Sequence, residues 1–191
     1  MAKDNIKSKK GFTIIEVVLV LAIAGLIFLM VFVALPALQR SQRDSARRND
    51  LSRVDTSLVQ YQTNNQGTGN GNLPASGSWV GSSTFGDTCK NNAACSFVRN
   101  YMNSGTSDNV SKNEFQDPDG QYYSMRIMTA GDAKSGWNYQ NNSGSGAAMN
   151  HTIYIFPSAK CNGESVTSDT ERHFAIVYRL EGAGTYCIDD Q

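Results

Sequence analysis

The sequence has no cysteine before residue 89, and its four cysteines form no C-x-x-C pair. It has only two histidines, so a structural zinc site of the cysteine–histidine type is disfavoured. An excess of charge is also missing, because 17 basic side chains balance 17 acidic ones, and general nucleic-acid binding is therefore not indicated. Neither histidine lies in a motif around a nucleophile, and we predict that the protein is not an enzyme.

The chain does contain one long stretch without charge. From Val17 to Leu38, 22 consecutive residues carry no charged and no hydrogen-bonding side chain. As a helix this run is about 33 Å long, which matches the hydrocarbon core of a bilayer. A cleaved secretory signal has a shorter apolar core followed by small residues at a cleavage site, and neither feature is present. We predict a single-pass membrane protein with an exported C-terminal domain.

The segment KKGFTIIEVVLVLAIAGLI surrounds the start of this run. It resembles the prepilin signal of type IV pilins and their relatives, which is a basic leader ending in glycine, then phenylalanine, then an apolar helix with glutamate at its fifth residue. Gly11, Phe12, Thr13 and Glu16 match, and the resemblance extends over residues 7–38. It implies that a prepilin peptidase cleaves between Gly11 and Phe12 and methylates the new amine of Phe12.

Glu16 is the one charge near the start of the apolar helix. A charge at the centre of a membrane helix costs about 3 kcal/mol, although near the end it can reach the interface or become protonated. We hypothesise that Glu16 instead pairs with the Phe12 ammonium of a neighbouring subunit and so sets the axial register. Thr13 is either a local partner of Glu16 or a helix cap.

The sequence divides into four segments. As the resemblance implies, we expect residues 1–11 to form a leader peptide, 12–38 a transmembrane and filament-core helix, 39–64 an amphipathic stem helix and 65–191 a globular head. Gly25 and Pro36 are predicted helix breakers, and the resemblance implies that the stretch between them unwinds in a filament.

Leu51, Val54, Leu58 and Tyr61 recur on one face of the stem helix, which should pack on the head. Five arginines precede or flank this face, and we interpret them as a solvated surface, with lipid headgroup contacts and inter-subunit salt bridges as alternatives. Among them, Arg40 and Asp44 have the spacing of an i,i+4 ion pair.

The head is predicted to have a short helix in residues 94–102 and strands in residues 123–127, 152–156, 174–180 and 184–188. Antiparallel strands against the stem make an α+β domain, which the resemblance identifies as a pilin fold. The four cysteines allow three pairings. We favour two disulfides, Cys89–Cys95 and Cys161–Cys187, over free thiols or a metal site.

DPDGQYY, residues 117–123, resembles the DP-x-G-x-x-Y turn of secretion pseudopilins, some of which bind calcium in this region. Asp117 and Asp119, with Asp189 and Asp190, are the possible oxygen donors. An ordinary turn is the favoured interpretation, and we expect no other cofactor.

The resemblance implies a structural subunit of a type IV pilus, favoured as a major pilin because Glu16 is present, that supports adhesion and twitching motility. The expected partners are copies of itself, the prepilin peptidase, the assembly platform and its motor, and membrane lipid before assembly. The expected location is the inner or cytoplasmic membrane with a cytoplasmic N-terminus, then the extracellular filament. DNA binding is left open because the head lysines form no evident stripe (Lys90, Lys112, Lys134, Lys160).

Two alternatives remain open. The first is a pseudopilin or minor pilin of a type II secretion or DNA-uptake (competence) machine. The second is a membrane-tethered binding protein or enzyme.

Overall fold

The computed structural model describes residues 11–66, 73–76, 79–80, 96–102, 116–133, 151–169, 172–182 and 184–190, with backbone alone at 79, 80 and 99. The predicted Cys89–Cys95 disulfide lies outside the described residues. Internal contacts divide the chain into two compact units, one up to Gln39 and one from Arg40 onwards.

Among the described residues, the secondary structure of the first unit is the N-terminal part of helix α1, Ile14–Asn64. The helix continues into the second unit. Among the described helices it is the one long and apolar enough to cross a membrane, and its most apolar window has a mean hydropathy of 3.2 with no residue buried. The helix continues through Gly25 and Pro36. Local unwinding between these residues concerns a filament and stays a prediction.

The second unit begins with the remainder of α1, which packs on the head through a narrow apolar face. Leu51, Val54 and Leu58 have no exposed surface, and the half-buried Tyr61 packs beside them. Complete burial of side chains of this size contributes about 2 kcal/mol each. The apolar face predicted for the stem is therefore confirmed.

The main sheet has five strands in the order β1-β2-β3-β6-β7. Their bounds are β1 Trp79–Val80, β2 Ser124–Ile127, β3 Thr152–Pro157, β6 Phe174–Arg179 and β7 Thr185–Asp189. The prediction of a purely antiparallel sheet is wrong in one place, because β2 and β3 run parallel. The connection between them is long enough for the crossover that parallel neighbours require, and it contains the short helix α2, Ala130–Ala133.

A two-stranded hairpin, β4 Ala159–Asn162 and β5 Ser165–Ser168, covers the face of the main sheet away from α1. Strand β3 is consequently buried on both faces. Ile153 and Ile155 belong to the core shared with α1, and Tyr154 and Phe156 to the core shared with the hairpin. The predicted disulfide between Cys161 and Cys187 is present, and it joins β4 to β7.

The helix predicted within residues 94–102 is present as a short π-helical segment, Val98–Met102. Phe97 and Val98 are buried. The rings of Phe97 and Tyr101 are stacked 5.9 Å apart, and the Tyr61 ring packs edge-on against both. These three rings pack the C-terminal end of the stem helix against the head.

Candidate functional site

The N-terminal turn of α1 places Thr13 and Glu16 in mutual contact. The backbone N–H and the hydroxyl of Thr13 each donate to Glu16 Oε2 at 2.8 Å, and the Glu16 N–H faces the Thr13 hydroxyl at 3.4 Å. Because α1 begins at Ile14, Thr13 is the N-cap and Glu16 the third helical residue, which is the capping-box arrangement. The Glu16 carboxylate therefore has hydrogen-bond donors within its own subunit.

Gly11 and Phe12 precede the helix in an open environment. The Phe12 side chain is 89% exposed, and a Cβ added at Gly11 would meet no atom within 4 Å. The fold of this region therefore places no steric demand for glycine at position 11. Any requirement for glycine there has to come from recognition by another molecule.

In the second unit, Arg47 and Asp117 form a buried ion pair. Arg47 Nε and one terminal nitrogen donate to the two Asp117 oxygens at 2.7 Å each, and Tyr178 donates its hydroxyl to the same carboxylate at 2.7 Å. Arg47 is only 4% exposed, so its assignment to a solvated arginine face is wrong. Its acidic partner lies 70 residues away in the sequence, beyond the reach of helical periodicity.

The turn between β6 and β7 is held by neighbouring residues of α1. Asp44 accepts hydrogen bonds from the backbone N–H groups of Glu181 and Gly182 at 2.9 Å, and Arg43 makes two hydrogen bonds to the Glu181 carboxylate. Asp44 pairs with Arg47 at 3.0 Å. Arg40 is the partner predicted for Asp44, but its Nε lies 3.9 Å from Glu181 Oε1 instead.

These contacts determine the ionisation of the cluster. Burial alone would raise the pKa of Asp117, but hydrogen bonds from Arg47, Tyr178 and the Asp119 N–H lower it to about 2. The hydrogen bonds to Asp117 raise the pKa of Arg47, so both partners stay charged. The Arg47–Asp117 ion pair is therefore fully charged at neutral pH.

A second polar contact lies beside the pair. Tyr123 donates its hydroxyl to Asp50 at 3.0 Å, and burial raises the pKa of Asp50 despite this bond. The rings of Tyr123 and Tyr178 pack edge to face with centroids 5.6 Å apart. The two tyrosines thus connect the sheet to two acidic groups, one on α1 and one on the DPDG turn.

Calcium is the less favoured of the two interpretations of DPDGQYY, and its four possible oxygen donors do not form one group. Asp117, Asp119 and His151 have possible ligand atoms within 4.8 Å of one another. Asp189 and Asp190 are used elsewhere, where they accept hydrogen bonds from the Cys161 and Phe174 N–H groups. The two Asp117 oxygens already accept hydrogen bonds from two Arg47 nitrogens, Tyr178 and Asp119, so this set does not fit a calcium ion.

Sequence reasoning missed Arg47 although a signal was present. Arg47, Leu51, Val54 and Leu58 follow one another at spacings of four, three and four, so Arg47 falls on the buried face of the stem. A charge on such a face requires a buried partner. Its identity as Asp117 depends on the tertiary structure.

Comparison with protein families gives one match, the prokaryotic N-terminal methylation motif, over residues 6–32. A search of curated proteins and a search of solved structures found no match. The matched segment contains Gly11, Phe12, Thr13 and Glu16 and most of the apolar part of α1. Residues 6–32 thus carry a type IV prepilin signal, and the apolar helix that follows Gly11, the one candidate membrane span among the described residues, fits a membrane-anchored precursor.

Proposed function

We propose that this chain is a structural subunit of a type IV pilus, processed after Gly11, with its 12–38 helices packed together in the filament core. The observation that carries the proposal is the apolar half of α1. Its large side chains are exposed throughout, and the methylation motif covers most of it. Such a surface requires lipid or other helices around it. The head, residues 65–191, coats the filament, and the stem, residues 39–64, joins the two parts.

Glu16 has successive partners in this proposal. In the precursor, the Thr13 N–H and hydroxyl satisfy its carboxylate. Cleavage gives Phe12 an ammonium group, and the next subunit brings that group against Glu16 as the helices bundle. A pair of opposite charges in lipid or in a helix bundle offsets the desolvation of both members and fixes how far one subunit is shifted along the next.

The test is mass spectrometry and yield of sheared surface filaments. We expect Phe12 at the N-terminus, carrying a methyl group, in abundant filaments. Glu16→Gln keeps the size of the side chain and removes its charge, and it should leave cleavage intact while reducing filament yield at least tenfold. Gly11→Val should block cleavage, because the valine side chain would obstruct the backbone that the protease binds at this position.

Ser52→Ala is the matched control, since Ser52 lies exposed on the stem and its hydroxyl bonds only to the Arg48 carbonyl in the described structure. This variant should give filaments at the normal yield. Normal filaments from Glu16→Gln, or an intact leader in surface filaments, would contradict the proposal.

A role as a major pilin that supports adhesion and twitching motility is the form of this function we favour, with an assembly platform, a motor and membrane lipid as partners. The alternative is a pseudopilin or minor pilin of a secretion or DNA-uptake machine, which the DPDGQYY turn favours by its resemblance. Deleting the gene separates them. Loss of surface filaments and twitching supports the major pilin, and loss of protein secretion or transformation with filaments retained supports the alternative.

A further inference from the structure

The DPDG turn, residues 117–120, brings the carboxylates of Asp117 and Asp119 close to the His151 imidazole. Arg47 of the stem helix reaches Asp117 as well. Asp119 Oδ2 lies 3.5 Å from His151 Nε2, and Asp117 Oδ2 lies 3.8 Å from His151 Nδ1. Two carboxylates and an imidazole at this separation are a common set for a divalent cation. A positive charge is therefore favoured here, and the structure places the Arg47 guanidinium on one member of the set, Asp117.

We propose that the Arg47 guanidinium is the built-in cation of the Asp117–Asp119–His151 cluster, so that the head folds around the turn without a divalent metal. Two parallel hydrogen bonds of 2.7 Å join the guanidinium to Asp117, whose side chain has no exposed surface. A bidentate guanidinium supplies both charge and directed donors to a carboxylate. Tyr178 and the Asp119 N–H complete the hydrogen-bond donors around Asp117.

The surrounding charges also disfavour a second cation. A groove of about 370 Å³ opens beside the cluster, and its lining consists of Arg43, Arg47, Asp119, His151, Arg179, Leu180 and Glu181. Three arginines against two carboxylates leave this lining with more positive than negative charge, which disfavours a divalent ion. Arg47 therefore occupies both oxygens of Asp117 and adds a positive charge to the groove beside Asp119 and His151.

The proposal implies a latent metal site. Removing the guanidinium frees two hydrogen-bond positions on Asp117 and leaves the three possible ligands within 4.8 Å of one another. Arg47→Ala should thus make the stability of the head respond to divalent metal, although the natural chain does not respond.

The experiment measures the thermal unfolding midpoint of the full chain in detergent, in EGTA, in millimolar Ca²⁺ and in millimolar Mn²⁺. We expect the natural chain to have the same midpoint in all three buffers. Arg47→Ala should unfold about 10 °C lower in EGTA, because a buried carboxylate loses its partner. Ca²⁺ or Mn²⁺ should raise the midpoint of that variant by about 3 °C or more.

Two variants are matched controls. Arg47→Lys keeps the charge and loses one of the paired hydrogen bonds, so it should unfold at an intermediate temperature and remain indifferent to metal. Arg47→Ala combined with Asp119→Asn removes a ligand and should lose the response to Ca²⁺ and Mn²⁺. If Arg47→Ala is unfolded in EGTA, recovery of its circular dichroism signal on adding either metal supports the proposal.

A fall of the natural chain's midpoint in EGTA overturns the proposal, and so does an Arg47→Ala variant that neither metal stabilises. The outcome is independent of the pilus function, because it concerns the folding of the head. Filaments that fail to form in the assembly test leave this measurement unaffected, and a metal-dependent head leaves the assembly test unaffected.

Discussion

Arg47 carries a full positive charge into the interior of the head, and Asp117 makes this possible. The arrangement is stable only while Asp117 is ionised, because a protonated carboxyl accepts the guanidinium hydrogen bonds poorly and leaves the charge unbalanced. The stability of the head is therefore linked to the titration of this one residue.

The sign of the pH dependence follows from the lowered pKa of Asp117. Its pKa of about 2 in the folded head compares with about 3.9 in an unfolded chain, so the stabilisation is complete above about pH 5. It is lost as the pH falls towards 2. Urea unfolding should show that Asp117→Asn is destabilised at neutral pH and that its deficit relative to the natural chain shrinks by about 2 kcal/mol over this range. A deficit that stays constant with pH would show that the pair does not control the dependence.

At the scale of single residues, the sequence predicted roles that depend on neighbours in the chain. Thr13, one of whose predicted alternatives was a helix cap, forms a capping box with a residue three positions away. Arg47 and Asp44 have partners 70 and 137 residues away, which no local pattern identifies.

The stem helix is held to the head by a few completely buried side chains. Leu51→Ala should cost about 3 kcal/mol of unfolding free energy, because a close-packed site loses three carbon atoms and retains a cavity. The neighbouring Ser52→Ala, on the exposed side, should change the stability by less than about 0.5 kcal/mol. Equal losses from the two variants in urea unfolding would mean that this face of the stem does not carry the attachment.

Strands with alternating or continuous apolar residues were predictable as elements. The regions that became β2, β3, β6 and β7 were all identified, since burial of one or both faces leaves a clear pattern. The hairpin of β4 and β5 was missed because its residues are largely polar and only Ala159 and Val166 are fully buried. The parallel pairing of β2 with β3 was missed because pairing direction depends on the path of the connection.

At the scale of the whole head, the disulfide between Cys161 and Cys187 links the β4–β5 hairpin to the main sheet. Cys161 and Cys187 are 26 residues apart, and the loop they close should stabilise the head by about 3 kcal/mol in the chain-entropy model. The double variant Cys161→Ala and Cys187→Ala should lose about that much in urea unfolding. A Cys89→Ala and Cys95→Ala variant should lose less, because that predicted bridge closes a shorter loop, and the reverse order would contradict the loop-length argument.

The turn between β4 and β5 has room that the turn between β6 and β7 lacks. Asn162, Gly163 and Glu164 are exposed, and a Cβ at Gly163 would meet nothing within 4 Å, whereas one at Gly182 would lie 2.8 Å from Asp44. Asn162 is therefore an accessible place for a foreign residue, such as a cysteine for a fluorescent dye, whereas Gly163 has to be kept because its φ is +63°. Position 162 is accordingly the place to attach a reporter for following the protein on living cells.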